Sequence, residues 1–164
     1  MSEPAKVVAV LVSNPALSSI LSMVLASVPT LRVRPFESEV ALTTYMRLAP
    51  VDLVVSDFDS QSAPADRVAQ ALHADSSLER RNFQVIALAS EVTAEMKRAS
   101  ISAGIDEIIV KPMSPKYLLE RVLSRLQRRS SQQPRPPGRP VRRDLSGAGG
   151  NVIPLFGRKL ETLH

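Results

Sequence analysis

Short apolar runs and longer amphipathic segments alternate along residues 6 to 128. The runs are rich in β-branched residues and lie at 6–12, 31–36, 52–57, 83–89 and 106–110. In the segments between and after them, apolar residues recur with helical spacing, as at Leu17, Ile20, Leu21 and Val24 after the first run. The pattern predicts five strands and five helices.

Local residues support the predicted helix boundaries. Capping side chains and prolines are expected to start four of the helices, at Asn14-Pro15, Ser62-Ala63-Pro64, Thr93 and Ser114-Pro115. Gly104 follows the fourth helical segment and is a candidate for the residue just beyond its C-terminus. These signals place the helix ends close to the ends of the apolar periodicity.

A regular strand and helix alternation indicates an α/β fold with a parallel sheet and right-handed crossovers. The first, third and fourth runs are almost wholly apolar, as expected of strands buried on both faces. The second, LRVRPF, alternates and contains Pro35, which is typical of an edge strand. We therefore predict a doubly wound, five-stranded (βα)5 sheet in the order 2-1-3-4-5, with its ligand crevice at the C-terminal ends of strands one and three.

The composition changes after residue 128. We predict one domain over 5–128, a disordered Arg/Pro-rich linker over 129–150 and a short apolar motif over 151–164. Residues 1–126 hold 13 Lys and Arg against 14 Asp and Glu, a net charge of −1, whereas residues 127–164 hold 8 against 2, a net charge of +6. The basic character of the chain therefore belongs to the tail.

Two interpretations of the tail stay open. The apolar end, which includes Ile153, Leu155 and Phe156, either packs loosely on its own domain or docks in a groove of a partner protein. The arginines around the linker either keep it solvated or give weak contacts to anionic lipid or, without sequence preference, to nucleic acid. We favour a solubilising linker because no aromatic residues are interleaved with these arginines.

Several classes of protein are disfavoured by the composition. The chain has no cysteine, which excludes disulfides and thiolate chemistry. Its first apolar run, Val7 to Val12, is too short for a signal peptide or a membrane span, so a cytoplasmic location is expected. His73 is expected to be a surface residue at a helix end, and no glycine-rich phosphate loop or nucleophile triad is readable.

Two charged residues stand at the ends of apolar runs. Asp57 ends the third run, and Lys111, followed by Pro112, comes directly after the fifth. On these residues, in DLVVSDFD and AGIDEIIVKPMSP, residues 5 to 128 resemble the receiver domain of bacterial two-component response regulators. The resemblance implies that Asp57 stands at the phosphoacceptor position and that Lys111 and Pro112 belong to a phosphate pocket.

Other positions of the resemblance carry side chains that the family does not use. The family has two acidic residues after the first strand, a hydroxyl at the end of the fourth strand and an aromatic residue in the fifth. Ser13 and Asn14 stand at the acidic positions, Ala89 with the neighbouring Ser90 at the hydroxyl position, and Ile108 at the aromatic switch position. We assign the first four to the phosphate pocket and Ile108 to the switch position.

The family's cofactor is Mg²⁺, which prefers oxygen ligands anchored by one or two carboxylates. Asp57 with neutral Ser13 and Asn14 is a poor set of ligands. The alternative is Mg²⁺ binding with Asp59 as a substitute ligand, although the family usually contributes a backbone carbonyl at this position. We therefore expect neither a metal site nor a cofactor. Asp57 and Lys111 are interpreted as a remaining ion pair, with inefficient or metal-independent phosphorylation as the alternative.

The expected function is that of a non-enzymatic, atypical receiver module acting through protein contacts in bacterial signalling. The resemblance implies a histidine kinase, a phosphotransfer protein or another signalling protein as partner, or a homodimer. The surface of this chain that contacts the partner would lie on the fourth helix, fifth strand and fifth helix, where Met96, Ile101 and Tyr117 are candidate contact residues. The alternatives are a response regulator phosphorylated at Asp57 and a nucleic-acid-associated protein that uses the arginine-rich tail.

Overall fold

Strands and helices alternate along the chain, as the apolar pattern predicted. The computed structural model describes residues 4–130 and 152–154. The strands are β1 (Lys6–Leu11), β2 (Leu31–Phe36), β3 (Leu53–Asp57), β4 (Gln84–Ala89), β5 (Glu107–Val110) and β6 (Val152–Pro154). The helices are α1 (Pro15–Ala26), α2 (Glu39–Leu48), α3 (Ala65–Ala74), α4 (Ala94–Ala103) and α5 (Pro115–Ser130).

The strand order is β2-β1-β3-β4-β5-β6, and the first five strands are parallel. This confirms the predicted 2-1-3-4-5 order and the edge position of β2. The sixth strand was not predicted. It runs antiparallel to β5, with Ile153 opposite Ile108 and Pro154 opposite Glu107.

The sheet separates two apolar cores. Neighbouring residues of a strand point to opposite faces, so Val54 and Ile108 contribute to one core while Val55 and Ile109 contribute to the other. The first core is covered by α2, α3 and α4 and includes Leu42, Met46, Leu72 and Ala103. The second is covered by α1 and α5 and includes Leu21, Leu25, Leu118 and Val122.

Three of the predicted caps are confirmed and one is wrong. The side chains of Asn14, Thr93 and Ser114 accept hydrogen bonds from the first turns of α1, α4 and α5. In contrast, α3 begins after Pro64 with no side-chain cap. The Ser60 hydroxyl, rather than that of Ser62, accepts a bond there, from the Ala63 backbone N–H at 3.2 Å.

The ends of α3 and α4 meet at His73 and Gly104. Gly104 follows α4 in the left-handed conformation, with φ of 84°. His73 is half-buried rather than a surface residue, because its ring stacks on Phe83 with centroids 4.5 Å apart. Its Nε2 lies 3.1 Å from the Gly104 carbonyl oxygen. The expectation of a surface histidine was therefore wrong, since its ring packs on Phe83 and lies against the Gly104 carbonyl.

Candidate functional site

The C-terminal ends of β3 and β5 bring Asp57 and Lys111 together. Asp57 is the last residue of β3, and Lys111 follows β5, with its backbone N–H donating to the Ala89 carbonyl of β4 at 2.7 Å. The Lys111 Nζ lies 3.1 Å from Asp57 Oδ1 and 3.0 Å from Oδ2. The two residues that carried the resemblance thus form an ion pair across the end of β4.

A second carboxylate shares the same ammonium group. The Lys111 Nζ lies 2.7 Å from Asp59 Oδ2, closer than either oxygen of Asp57. The Asp59 backbone N–H donates to Asp57 Oδ1 at 2.8 Å, which ties the two acidic residues together. The site therefore holds two carboxylates and one ammonium, not the single acid and single base that the sequence indicated.

Ser90 completes this arrangement. Its hydroxyl and its backbone N–H both donate to Asp59 Oδ2, at 2.5 and 3.0 Å. Asp57 is deeply buried, with 3% of its side chain exposed, whereas 39% of the Asp59 side chain is exposed. Asp57 consequently forms the floor of the pocket and Asp59 its rim.

The contacts alter the proton affinities of two groups. Partial burial alone would raise the pKa of Asp59, but the hydrogen bonds from Lys111 and Ser90 bring it below its usual value. Partial burial alone would lower the pKa of Lys111, but the bonds to Asp59 and Asp57 raise it. At neutral pH Lys111 is therefore fully charged, as is Asp59.

The loop after β1 contributes no charge to the pocket. The Asn14 side-chain oxygen accepts the backbone N–H groups of Ala16 and Leu17 at 3.0 and 3.1 Å, so it serves the N-terminus of α1. Ser13 is exposed. Both residues lie at the expected edge of the sheet, but neither is bonded to Asp57 or Asp59 by any contact that the described residues show.

Comparison with known proteins identifies solved structures that share this fold. No family model matches the chain, and neither does any curated protein. Among solved structures, a CheY-like response regulator receiver domain protein from Methanospirillum hungatei has a TM-score of 0.69 at 17% identity, over 79% of this chain and 99% of that chain. The chain has the receiver-domain fold.

Two further structures give the same result. The chemotaxis protein CheY4 of Vibrio cholerae has a TM-score of 0.65 at 22% identity and covers 76% of this chain and 99% of its own. A response regulator from Thermotoga maritima has a TM-score of 0.63 at 22% identity and covers 75% of this chain and 98% of its own. At these identities the likeness concerns the fold, and the chemistry must be judged from the residues present.

The residues at the metal position of the receiver fold do not fit Mg²⁺. Asp57 and Asp59 both bind the Lys111 ammonium, and the Asn14 oxygen is used on α1. Ser13 is neutral and exposed. A divalent ion that prefers several oxygen ligands would find both carboxylates already in contact with Lys111 and would have to recruit water for most of its coordination shell. Within residues 4–130, no group of three or more His, Asp or Glu side chains is arranged to hold a metal.

The remaining predicted pocket and switch residues are apolar and buried, or lie beside the pocket. Ala89 and Ile108 are fully buried, and Ile108 belongs to the core beneath α2, α3 and α4. Pro112 follows Lys111 through a cis peptide bond and is exposed. Ala89 offers no hydroxyl, so Ser90 supplies the only side-chain O–H that the described contacts bring to the Asp59 carboxylate.

Three of the predicted partner residues lie on the two helices that flank β5. Ile101 of α4 is 48% exposed, whereas Met96 of α4 and Tyr117 of α5 are half-buried against the two cores. Burial raises the pKa of the Tyr117 hydroxyl. Ile153 pairs with Ile108 through its backbone, and Leu155 and Phe156 lie outside the described residues.

Sequence analysis missed a buried ionic cluster between β5 and α5. Glu107 is fully buried, and its Oε2 and Oε1 accept bonds from Arg121 at 2.6 and 2.8 Å. Arg125 donates to Glu107 Oε1 at 2.7 Å and to the Asp106 carbonyl at 3.0 Å. A glutamate inside an apolar run, with two arginines four residues apart on the following helix, was the available signal.

No helix within the described parts of the chain is long and apolar enough to cross a membrane.

Proposed function

We propose that the protein is a divergent member of the response regulator receiver family that acts through protein contacts and without Mg²⁺-dependent phosphorylation. The observation that carries the proposal is the contact of Lys111 with two carboxylates, at 3.0 Å for Asp57 and 2.7 Å for Asp59. Among the contacts of the described residues, Lys111 is the only cation that reaches either carboxylate. The ammonium balances one of the two carboxylates, so the pocket keeps a net charge of −1.

The sizes of the electrostatic interactions favour a pocket that does not accept phosphoryl groups efficiently. A phosphoryl group on Asp57 would bring close to two negative charges and remove the charge of the Asp57 carboxylate, so the net charge of the site would change from −1 to about −2. At an effective dielectric constant of 20, a unit charge pair 4 Å apart interacts by about 4 kcal/mol. Without a divalent ion, the repulsion from Asp59 largely cancels the attraction of Lys111. The charge of Asp59 therefore opposes the transfer.

The proposed partner is another signalling protein: a histidine kinase, a phosphotransfer protein or a second copy of the chain. Support comes from the receiver-domain fold and from exposed Ile101, with Met96 and Tyr117 partly accessible around β5. The surface formed by α4, β5 and α5 is the proposed contact region. We propose a bacterial, cytoplasmic setting and no enzymatic reaction.

The C-terminal segment is proposed as a second contact. Its residues Val152–Pro154 pair with β5 of the same chain, which favours packing on its own domain for this part. Leu155 and Phe156 remain candidates for contact with a partner. Pull-down of binding proteins by the full chain and by a chain ending at Pro154 separates the two roles. Loss of a specific partner upon shortening supports docking, and unchanged capture contradicts it.

A second candidate function is phosphorylation of Asp57. It is favoured by the position of Asp57 on the pocket floor beneath Lys111, where an acceptor carboxylate would lie. Incubation with acetyl phosphate and Mg²⁺, followed by intact mass measurement, tests it. We expect no adduct. A stable adduct that disappears in Asp57→Asn, but not in the rim variant Asp59→Asn, would establish the second candidate and reject the first.

A further inference from the structure

Three hydrogen-bond donors of the pocket converge on one oxygen of Asp59. Its Oδ2 receives the Lys111 ammonium at 2.7 Å, the Ser90 hydroxyl at 2.5 Å and the Ser90 backbone N–H at 3.0 Å. An ammonium, a hydroxyl and a backbone amide are the donors that bind phosphate-like oxyanions in proteins. Here these donors already hold an anion that belongs to the chain.

The carboxylate of Asp59 lies where it can leave without disrupting the core. It is 39% exposed at the rim, whereas the Asp57 side chain beneath it is 3% exposed. The backbone N–H of Asp59, not its side chain, is bonded to Asp57. Rotation of the Asp59 side chain toward solvent therefore breaks only its bonds to Lys111 and Ser90.

We propose that Asp59 is an internal gate whose carboxylate fills an oxyanion cradle formed by Lys111 and Ser90. A tetrahedral oxyanion, such as phosphate or sulfate, enters this cradle only when the carboxylate moves out. With Asp59 in place the pocket has a net charge of −1 and its donors are used. With Asp59 out, the ammonium faces Asp57 alone, and three donors become free.

This inference deepens the proposed function and rests on it, because it names the side chain that occupies the anion-binding donors of the pocket. It also separates the acceptor from the gate. Asp57 supplies the floor and keeps its ion pair with Lys111, while Asp59 controls whether the remaining donors are accessible.

The test compares phosphate binding by the wild-type chain and by Asp59→Ala. Inorganic phosphate is titrated without metal at constant ionic strength, and the amide signal of Ser90 is followed by NMR. Removal of a like charge a few ångströms from the anion, together with the release of three donors, should tighten binding at least about tenfold. Equal affinity in the two proteins overturns the proposal.

Matched variants separate the gate from a general charge effect. Glu91→Gln removes one negative charge next to Ser90 without touching the cradle, and we expect less than a twofold change, about the limit for a screened surface charge. Tightening equal to that of Asp59→Ala would contradict the proposal. In Asp59→Ala, the further change Ser90→Ala should reverse much of the gain, and unchanged affinity would also contradict it.

The isosteric variant Asp59→Asn protects the test against misfolding. It removes the charge but keeps an oxygen that can accept bonds from Ser90, so binding intermediate between wild type and Asp59→Ala is expected. Binding as weak as that of wild type counts against the gate. The titration contains no phosphodonor and no Mg²⁺, so it tests the gate separately from phosphorylation. The gate can be disproved while Asp57 stays unphosphorylated, and phosphorylation of Asp57 can be found whether or not Asp59 acts as a gate.

Discussion

At the residue scale, Lys111 is the ion-pair partner of a buried carboxylate. Asp57 has 3% of its side chain exposed, and the ammonium lies 3.0 Å from its Oδ2. We expect Lys111→Met to lower the free energy of unfolding by about 3 kcal/mol at pH 7, because it leaves a buried charge without its partner. Urea unfolding measures the change.

A double variant checks this cause. Asp57→Asn combined with Lys111→Met should recover most of the loss, since neither charge remains. Lys116→Met, on the exposed surface of α5, is the matched control and should change the free energy of unfolding by less than about 0.5 kcal/mol. Failure of the double variant to recover stability would mean that packing by the lysine stem, not charge, dominates.

Asp106 is predicted to reduce stability at neutral pH. Burial raises the pKa of its carboxyl, despite the hydrogen bond from the Val85 N–H at 2.7 Å. The native state then binds a proton more tightly than the unfolded state, so stability falls as pH rises from the ordinary value of 3.8 through the raised pKa. Asp106→Asn should therefore raise the Tm at pH 7, and the gain should vanish below pH 3.8.

The sequence predicts some residues of the site better than others. Asp57 and Lys111 were predictable because both end parallel strands, whose C-terminal ends share one edge of the sheet. The bonds among Asp59, Ser90 and Lys111 were not, because side-chain directions in two separate loops decide them. Ser90 was assigned to the phosphate pocket, but Asp59 was considered only as a substitute metal ligand and not as the partner of Ser90 and Lys111.

At the element scale, the junction of α3 and α4 depends on the absence of a side chain at Gly104. A Cβ there would lie 2.6 Å from His73 Cδ2, and the φ of 84° disfavours any L-residue. Gly104→Ala should cost about 1–2 kcal/mol for the left-handed backbone alone, with a further loss from the clash. Chemical unfolding measures both.

The two contributions can be separated. His73→Ala removes the ring that the new methyl group would meet, so Gly104→Ala should cost less in that background than in the wild type. An equal cost in both backgrounds would show that the backbone conformation alone accounts for the effect.

β6 covers the outer edge of β5. Val152–Pro154 pair with Ile109, Ile108 and Glu107, so this edge is not left open. Chains ending at Pro154 and at Asn151 differ only by this strand. Hydrogen exchange in β5 should be faster in the shorter chain and unchanged in the longer one, relative to the full chain. Equal exchange in the two shortened chains would contradict the pairing.

The element pattern explains why most of the fold was predictable and β6 was not. Five β-rich runs and five helical segments give the alternation directly, and Pro35 identifies the β2 edge. β6 has only three residues. Its place depends on pairing with a strand more than forty positions earlier, which apolar periodicity does not encode.

At the scale of the whole molecule, charge is divided between two parts of the chain. Residues 1–126 carry a net charge of −1 and residues 127–164 a net charge of +6. We expect weak retention on immobilised DNA that is lost above about 0.2 M salt and does not depend on base sequence. A chain ending at Ser130 should not be retained. Sequence-selective binding at physiological salt would support the nucleic-acid function instead.

The Asn14 side chain caps the first turn of α1, and an aspartate at this position would cap the helix equally well. Ser13 beside it points to solvent, where an acid is tolerated. Both positions can therefore turn acidic while the helix keeps its start and the sheet its edge. Acidic residues at positions 13 and 14 would therefore add two carboxylates at the edge of the sheet that carries Asp57, with no change in the backbone.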